Sequence, residues 1–185
     1  MRHTEDGRTR LWQPGPRRNI HGTHVLDTVG AILAGLNIHR VTVVSGNKSY
    51  GAAGAVVTSS LARALVRWRV VTYGDECSEE EVGRIKGRPL SKTQAVGGIG
   101  GGTVIDLAKI LADRISVPCL VIPTLISNCA ATNPNTTVYY PDGRFRYPYL
   151  CTVPPWITVV DDELLRASPL RYFRSGLGDT LAKPF

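Results

Sequence analysis

Histidine is scarce in this chain and confined to its start. The only four are His3, His21, His24 and His39, so no imidazole is available beyond residue 39. His21 and His24 stand three apart ahead of a helix, with no acid in the intervening sequence, and read as surface rather than as a metal-binding pair. Cysteine is almost as sparse: Cys77, Cys119, Cys129 and Cys151 are separated by 42, 10 and 22 positions, which fits neither a zinc pair nor a disulfide framework. They read as reduced thiols. No apolar run approaches the ~20 residues of a membrane span, and the basic start lacks the apolar core of a secretion signal, so a cytoplasmic location is expected. There is no internal repeat, and the 19 glycines and 12 prolines follow no period, which excludes collagen-like and low-complexity chains.

Acidic residues are also in deficit, 15 against 22 lysines and arginines, for a net charge of +7. Arg2, Arg8, Arg10, Arg17 and Arg18 all fall within the first 18 residues, a Gly/Pro-containing stretch that reads as a basic, flexible lead. No basic stripe interleaved with aromatics follows, so nucleic acid is not an expected partner.

What remains suits one soluble core: 43% hydrophobic and 20% charged residues over 185 positions. Short β-branched runs alternate with helical patterns. Residues 23–37 have apolar positions at helical spacing; 41–45 (VTVVS) suit a buried strand; 50–65 form an Ala-rich helix; 67–72 (RWRVVT) are a strand. Ser78 followed by Glu79, Glu80 and Glu81 marks a helix start, with weakening near Pro89. Residues 95–98 enter a glycine-rich turn, 104–115 are a helix, and 118–122 and 157–160 are strands. The segment from Thr136, with the turn Pro141-Asp142-Gly143, reads as a β-hairpin. Residues 161–183 read as two short helices, broken at Pro169 and again across Gly176 and Gly178. This order predicts an open, mostly parallel Rossmann-like α/β sheet with helices on both faces and a hairpin excursion.

The sharpest signal is GGIGGGTVIDLAK over residues 97–109, a strand passing through glycines into a helix. Glycines let backbone N–H groups approach an anion, and a helix start adds free donors and positive dipole, so a phosphate or pyrophosphate is the natural guest. The P-loop pattern fails because Thr103 stands where lysine is needed, and the dinucleotide GxGxxG pattern fails because Thr103 takes its last place. Asp106 and Lys109, taken singly, read as structural.

Three blocks in order carry a resemblance: GIGGGTVIDLAK, VIPTLISNCAATNPNTTVYYPDG, and LRYFRSGLGDTLAK. Together they resemble the iron-containing (group III) alcohol dehydrogenase and glycerol dehydrogenase superfamily, with most likeness to its hydroxycarboxylate dehydrogenase and glycerol dehydrogenase-like branch. The resemblance implies an NAD(P)-dependent, metal-assisted oxidoreductase that interconverts a secondary alcohol or 2-hydroxy acid and its ketone or keto acid. It implies cofactor contacts at Gly100, Gly101, Gly102, Thr103, Asp106, Thr124, Ser127 and Tyr139, a substrate contact at Cys129, and a zinc or iron ligand at Asp179. It divides the chain into a basic lead (1–19), an NAD(P)-binding α/β domain (20–167) and the start of a helical metal-binding domain (168–185).

The departures matter as much. The family's remaining metal ligands are histidines of a C-terminal helical domain, absent from these residues, so a truncated member or an N-terminal half is expected. Its apolar surface should then be uncovered and favour self-association or a homo-oligomer. Cys129 stands where glycerol-using members carry an aspartate, which leans away from glycerol. Gly46-Asn47-Lys48 after the first predicted strand offers no acid for a ribose hydroxyl and one lysine for a 2′-phosphate, leaving NAD and NADP both open. The alternatives are a noncatalytic nucleotide-binding remnant, a glycerol dehydrogenase, or a sugar-phosphate cyclase sharing the cofactor turn; the last lacks its lysine-rich substrate segments here.

Overall fold

A computed structural model describes residues 15–74, 76–87, 90 and 92–183. Six runs build one parallel sheet: β1 (Arg18–Gly22), β2 (Arg40–Ser45), β3 (Arg67–Thr72), β4 (Ala95–Gly100), β5 (Cys119–Pro123) and β8 (Ile157–Asp161). Their order across the sheet is β1-β8-β5-β4-β2-β3, and every pairing is parallel. β4 and β5 are buried on both faces, as continuous apolar runs require when helices cover each side. A separate antiparallel hairpin pairs β6 (Asn135–Tyr139) with β7 (Phe145–Leu150), as expected from the turn at residues 141–143.

The helices fall on opposite faces. α1 (Val29–Gly35) and α3 (Ala55–Arg63) pack Leu33, Val57 and Leu61 against one side of the sheet. α4 (Glu79–Lys86) and α5 (Gly102–Arg114) pack Ile85, Leu107 and Leu111 against the other, together with the hairpin. Ser78 caps α4 by accepting from the Glu81 N–H at 3.1 Å, as its sequence predicts. Asp161 caps α6 (Asp162–Arg166) in the same way, accepting from Glu163 and Leu164. Residues 47–63 form a nearly continuous helical stretch in which α2 (Asn47–Ser49) and a wider turn (Tyr50–Gly54) precede α3.

Three expectations need correction. Arg18 and Asn19 belong to β1 and not to a basic lead; β1 hides from sequence patterning because it is an edge strand whose one large apolar residue, Ile20, is half-buried. The helix expected over 23–37 begins as a tight turn (Val25–Thr28) before α1. The break expected at Gly176 and Gly178 does not occur, and α7 (Leu170–Leu181) is one helix. Gly176 is needed for closeness, since a Cβ there would lie 2.4 Å from the Ile126 carbonyl oxygen. The predicted weakening at Pro89, and residues 1–14 of the predicted lead, lie outside the described residues.

One ion-pair cluster clamps α4, α5 and the hairpin. Arg114 donates to both oxygens of Glu79, at 2.6 and 2.5 Å, and the Tyr147 hydroxyl donates to the same carboxylate. These donors hold the Glu79 carboxyl down at about 2, Arg114 contributing most. A carboxylate with a lowered folded-state pKa stabilises the fold above its unfolded value, near 4.5, and loses that contribution as pH falls toward 2. Glu79→Gln should therefore lower the melting temperature at pH 7 and flatten its decline between pH 4.5 and 2 in thermal melts monitored by circular dichroism. An unchanged acid profile in the variant would refute this role.

Candidate functional site

In an open parallel sheet, ligands bind beyond the carboxyl ends of the strands, where the strand order reverses. Here that point lies between β2 and β4. The chain leaves β2 toward the β3 edge, whereas it leaves β4 through α5 toward β5. Ser45, the last residue of β2, donates its hydroxyl to the Ile99 carbonyl at 2.9 Å and fixes the two strand ends to each other.

The glycine bend opens on this crevice. β4 ends at Gly100, and α5 starts at Gly102 with extended Gly101 as its N-terminal boundary and no side chain capping it. Its opening N–H groups thus have no intrahelical acceptor, which is what an anion site requires. None of Gly97, Gly98, Gly100, Gly101 or Gly102 has positive φ, so glycine serves closeness here. A Cβ at Gly98 would lie 2.7 Å from Ala108 Cβ, at Gly100 2.7 Å from Val104 Cβ, and at Gly102 2.3 Å from the Asn128 side-chain nitrogen. Strand, helix and the loop after β5 all converge on backbone without side chains.

That loop carries most of the remaining candidates. Thr124 is buried directly after β5, and its N–H donates to the Gly100 carbonyl at 3.0 Å. Ser127 is half-buried, and its carbonyl accepts from the Ser175 hydroxyl of α7 at 3.4 Å. Cys129 is exposed, with Asn133 donating to its sulfur at 3.0 Å. Asp179, on α7, is ion-paired with Lys183 at 2.7 Å. Asp179 and the Cys129 sulfur both push the Lys183 ammonium up, Asp179 more strongly. The structure thus brings the expected substrate and metal positions to one place and adds Lys183 between them. Lys183 was legible as an i,i+4 partner of Asp179; Asn128, which fills the space over Gly102, had no sequence signal.

Asp106 and Tyr139 are placed differently from the rest. Asp106 turns to the hairpin, where its Oδ2 accepts from the Thr137 N–H at 3.1 Å, and its Oδ1 lies 3.0 Å from Lys109 Nζ. Burial pushes the Asp106 carboxyl up, with Lys109 and Thr137 opposing. The Tyr139 N–H donates to the Cys77 carbonyl, and its side chain packs on the core side shared by α4 and α5. Lys109 itself is 2% exposed. Its ammonium donates to the carbonyls of Ala130, Asn133 and Asn135 at 2.9, 3.2 and 2.7 Å, tying the loop and hairpin to the helix that begins at the glycine bend.

The same architecture occurs among known proteins, and residues 20–169 match the sequence profile of iron-containing alcohol dehydrogenases. The chain belongs to that family. A glycerol dehydrogenase of Escherichia coli O6:H1 is 32% identical over 171 residues, covering 92% of this chain and 46% of the relative. Hydroxycarboxylate dehydrogenase A of Escherichia coli K12 is 31% identical over 113 residues, covering 61% of this chain and 31% of the relative. The crystal structure of glycerol dehydrogenase from Schizosaccharomyces pombe superimposes with a TM-score of 0.83 at 24% identity, over 97% of this chain and 45% of that one. The chain spans about half the length of the curated glycerol dehydrogenases it matches.

A family metal needs a cluster of donors, and among the described residues no group of three or more His, Cys, Asp or Glu side chains could hold an ion. His21 lies 2.6 Å from Asp162 and His24 3.4 Å from Glu163, both at the exposed surface. The described residues therefore do not fit a metal site by themselves. They do fit a dinucleotide: an uncapped helix start behind glycines is present, with the Asn128 side chain standing over Gly102.

Lys109→Met should destabilise the protein by about 3–5 kcal/mol in urea unfolding, because it leaves the Asp106 charge buried alone and strands three carbonyls. Adding Asp106→Asn should recover part of that loss. A single variant within about 1 kcal/mol of the parent would show that the ion pair does not hold the loop.

Proposed function

We propose that this chain is the NAD(P)-binding half of an alcohol or hydroxy-acid dehydrogenase, with the division expected from the sequence: cofactor domain over 20–167 and the start of a metal-binding helical domain from 168. The observation that carries the reading is the uncapped α5 start behind glycines at the sheet's reversal point. Backbone N–H groups of Gly102 and Thr103 would donate to the pyrophosphate, with Gly100 and Gly101 letting it approach. The hydroxyls of Thr124 and Ser127, on the adjoining loop, would orient the nicotinamide half, and Tyr139 would flank it. Asp106 would contribute by holding the helix to the hairpin. When bound, the nicotinamide supplies a hydride acceptor or donor for the substrate carbon.

Cys129 is small and neutral where a glycerol-binding carboxylate would be expected, which favours a 2-hydroxy acid or keto acid over glycerol. The whole enzyme would interconvert a secondary alcohol and a ketone. No step is assigned to a metal: Asp179 is the one candidate ligand for zinc or iron, and it is ion-paired with Lys183. Lys48, exposed just beyond β2, supports NADP as well as NAD. No helix among the described residues is long and apolar enough to cross a membrane, in keeping with a cytoplasmic location. Leu170, Phe173, Leu177 and Leu181 form an exposed stripe along α7, which supports self-association.

The second reading, a noncatalytic nucleotide-binding module, is favoured by the lack of a metal cluster among the described residues. Turnover of keto acids with added zinc or iron and NADPH or NADH separates the two readings, since the module would titrate the nucleotide without turning over. Gly101→Val should weaken NAD(P)H binding at least tenfold in a fluorescence titration, since a Cβ there already lies 3.0 Å from Leu125 Cδ1 and a branched side chain must crowd the bend and its loop, with the circular dichroism spectrum retained. Undiminished binding by a folded variant would refute the phosphate-turn assignment.

A further inference from the structure

A cavity lies at the opposite end of the sheet from the glycine bend. It encloses about 350 Å³ beneath the last turn of α5, between the start of β5 and the loop entering β8. That volume is in the range of small-molecule sites. Ala112, Val117, Pro118, Cys119, Val153 and Trp156 make its wall largely apolar. α5 separates it from the candidate cofactor crevice by about 20 Å, the length of a 13-residue helix.

Charge at the rim has one sign available. The Arg17 guanidinium stands 5.6 Å from the centroid of the Trp156 ring, and Arg18 borders a neighbouring hollow on which Arg17 and Trp156 also open. Among the described residues neither arginine has a carboxylate within ion-pair distance. Asp113 is the one acid on the wall, and both its oxygens are occupied: one accepts from the Tyr149 hydroxyl at 2.6 Å and the other from the Thr152 N–H at 2.8 Å. Lys109, whose stem reaches the cavity, has its ammonium committed to Asp106 and three carbonyls. Among the described residues, a guanidinium without a carboxylate partner thus lies at the mouth over a largely apolar wall, while the Asp113 carboxylate is held by Tyr149 and Thr152.

We propose that this cavity is a binding site for a small amphipathic carboxylate, its aromatic or branched aliphatic body inside against Trp156 and its carboxylate at the mouth on Arg17. Such a ligand satisfies both the apolar wall and a guanidinium that has no carboxylate partner among the described residues, which neither a sugar nor an apolar cation does. The site does not share residues with the glycine bend or with Thr124, Ser127 and Cys129.

The test uses 4-phenylbutyrate as probe and 4-phenylbutanol as its neutral counterpart, titrated into the full chain by calorimetry. The acid should bind saturably at one site, about tenfold tighter than the alcohol, in keeping with one charge-assisted contact. Arg17→Gln should remove that preference by weakening the acid about tenfold. Val153→Trp, an exposed loop position on the cavity wall, should abolish binding of both while thermal melting and NAD(P)H titration stay at the parent's values. Equal affinity for acid and alcohol, full binding by either variant, or displacement of the probe by NAD(P)H would overturn the proposal. Because NAD(P)H binding is read separately, failure here leaves the cofactor assignment intact, and the reverse also holds.

Discussion

A single ammonium buried in the interior organises the candidate site. Lys109 sits two turns into α5, almost without solvent contact, and exchanges its hydration for the Asp106 carboxylate and three main-chain carbonyls. A buried charge is tolerable only when paired and hydrogen-bonded, so this set behaves as a unit. Its consequence is geometric. Two of the carbonyls belong to the loop that begins at Thr124 and the third opens β6, and the carboxylate also holds the hairpin through Thr137, so loop, hairpin and helix keep one arrangement. The glycine bend is the front end of that same helix.

From this anchor the crowding around the bend follows. β4 and α5 approach until Gly98 and Gly100 leave no room for a Cβ, and the loop approaches until Asn128 fills the space over Gly102. α7 closes in from outside, with Gly176 against the Ile126 carbonyl and Ser175 on Ser127. Glycine at these positions admits neighbouring atoms and not left-handed backbone, since none has positive φ.

Much of this was legible in the sequence, for identifiable reasons. β2, β5 and β8 were bounded within a residue or so, because buried parallel strands are β-branched runs stopped by polar residues, glycine or proline; β3, an edge strand exposed over most of its length, was bounded at Arg67 and Thr72 by its aromatic and β-branched residues. Ser78 ahead of three glutamates fixed the start of α4 through its own side chain. β1 was hidden because an edge strand carries little apolar periodicity, and α7 was cut in two because local propensity penalises glycine where tertiary closeness demands it. Within the site, the bend was visible as composition. The roles of Asp106 and Lys109 were not, because the main-chain groups they bind are 21 to 31 residues away, which no spacing rule reports. Asn128 entered only through contact.

Central to the proposed function is contact between amides of the bend and the diphosphate of NAD(P)H. Mapping amide shifts of the ¹⁵N-labelled chain during an NAD(P)H titration tests this most directly. The largest movements should fall on Gly101, Gly102 and Thr103, with Thr124 and Ser127 following and the cavity below α5 unmoved. Saturable binding that leaves those amides in place while others shift would contradict it.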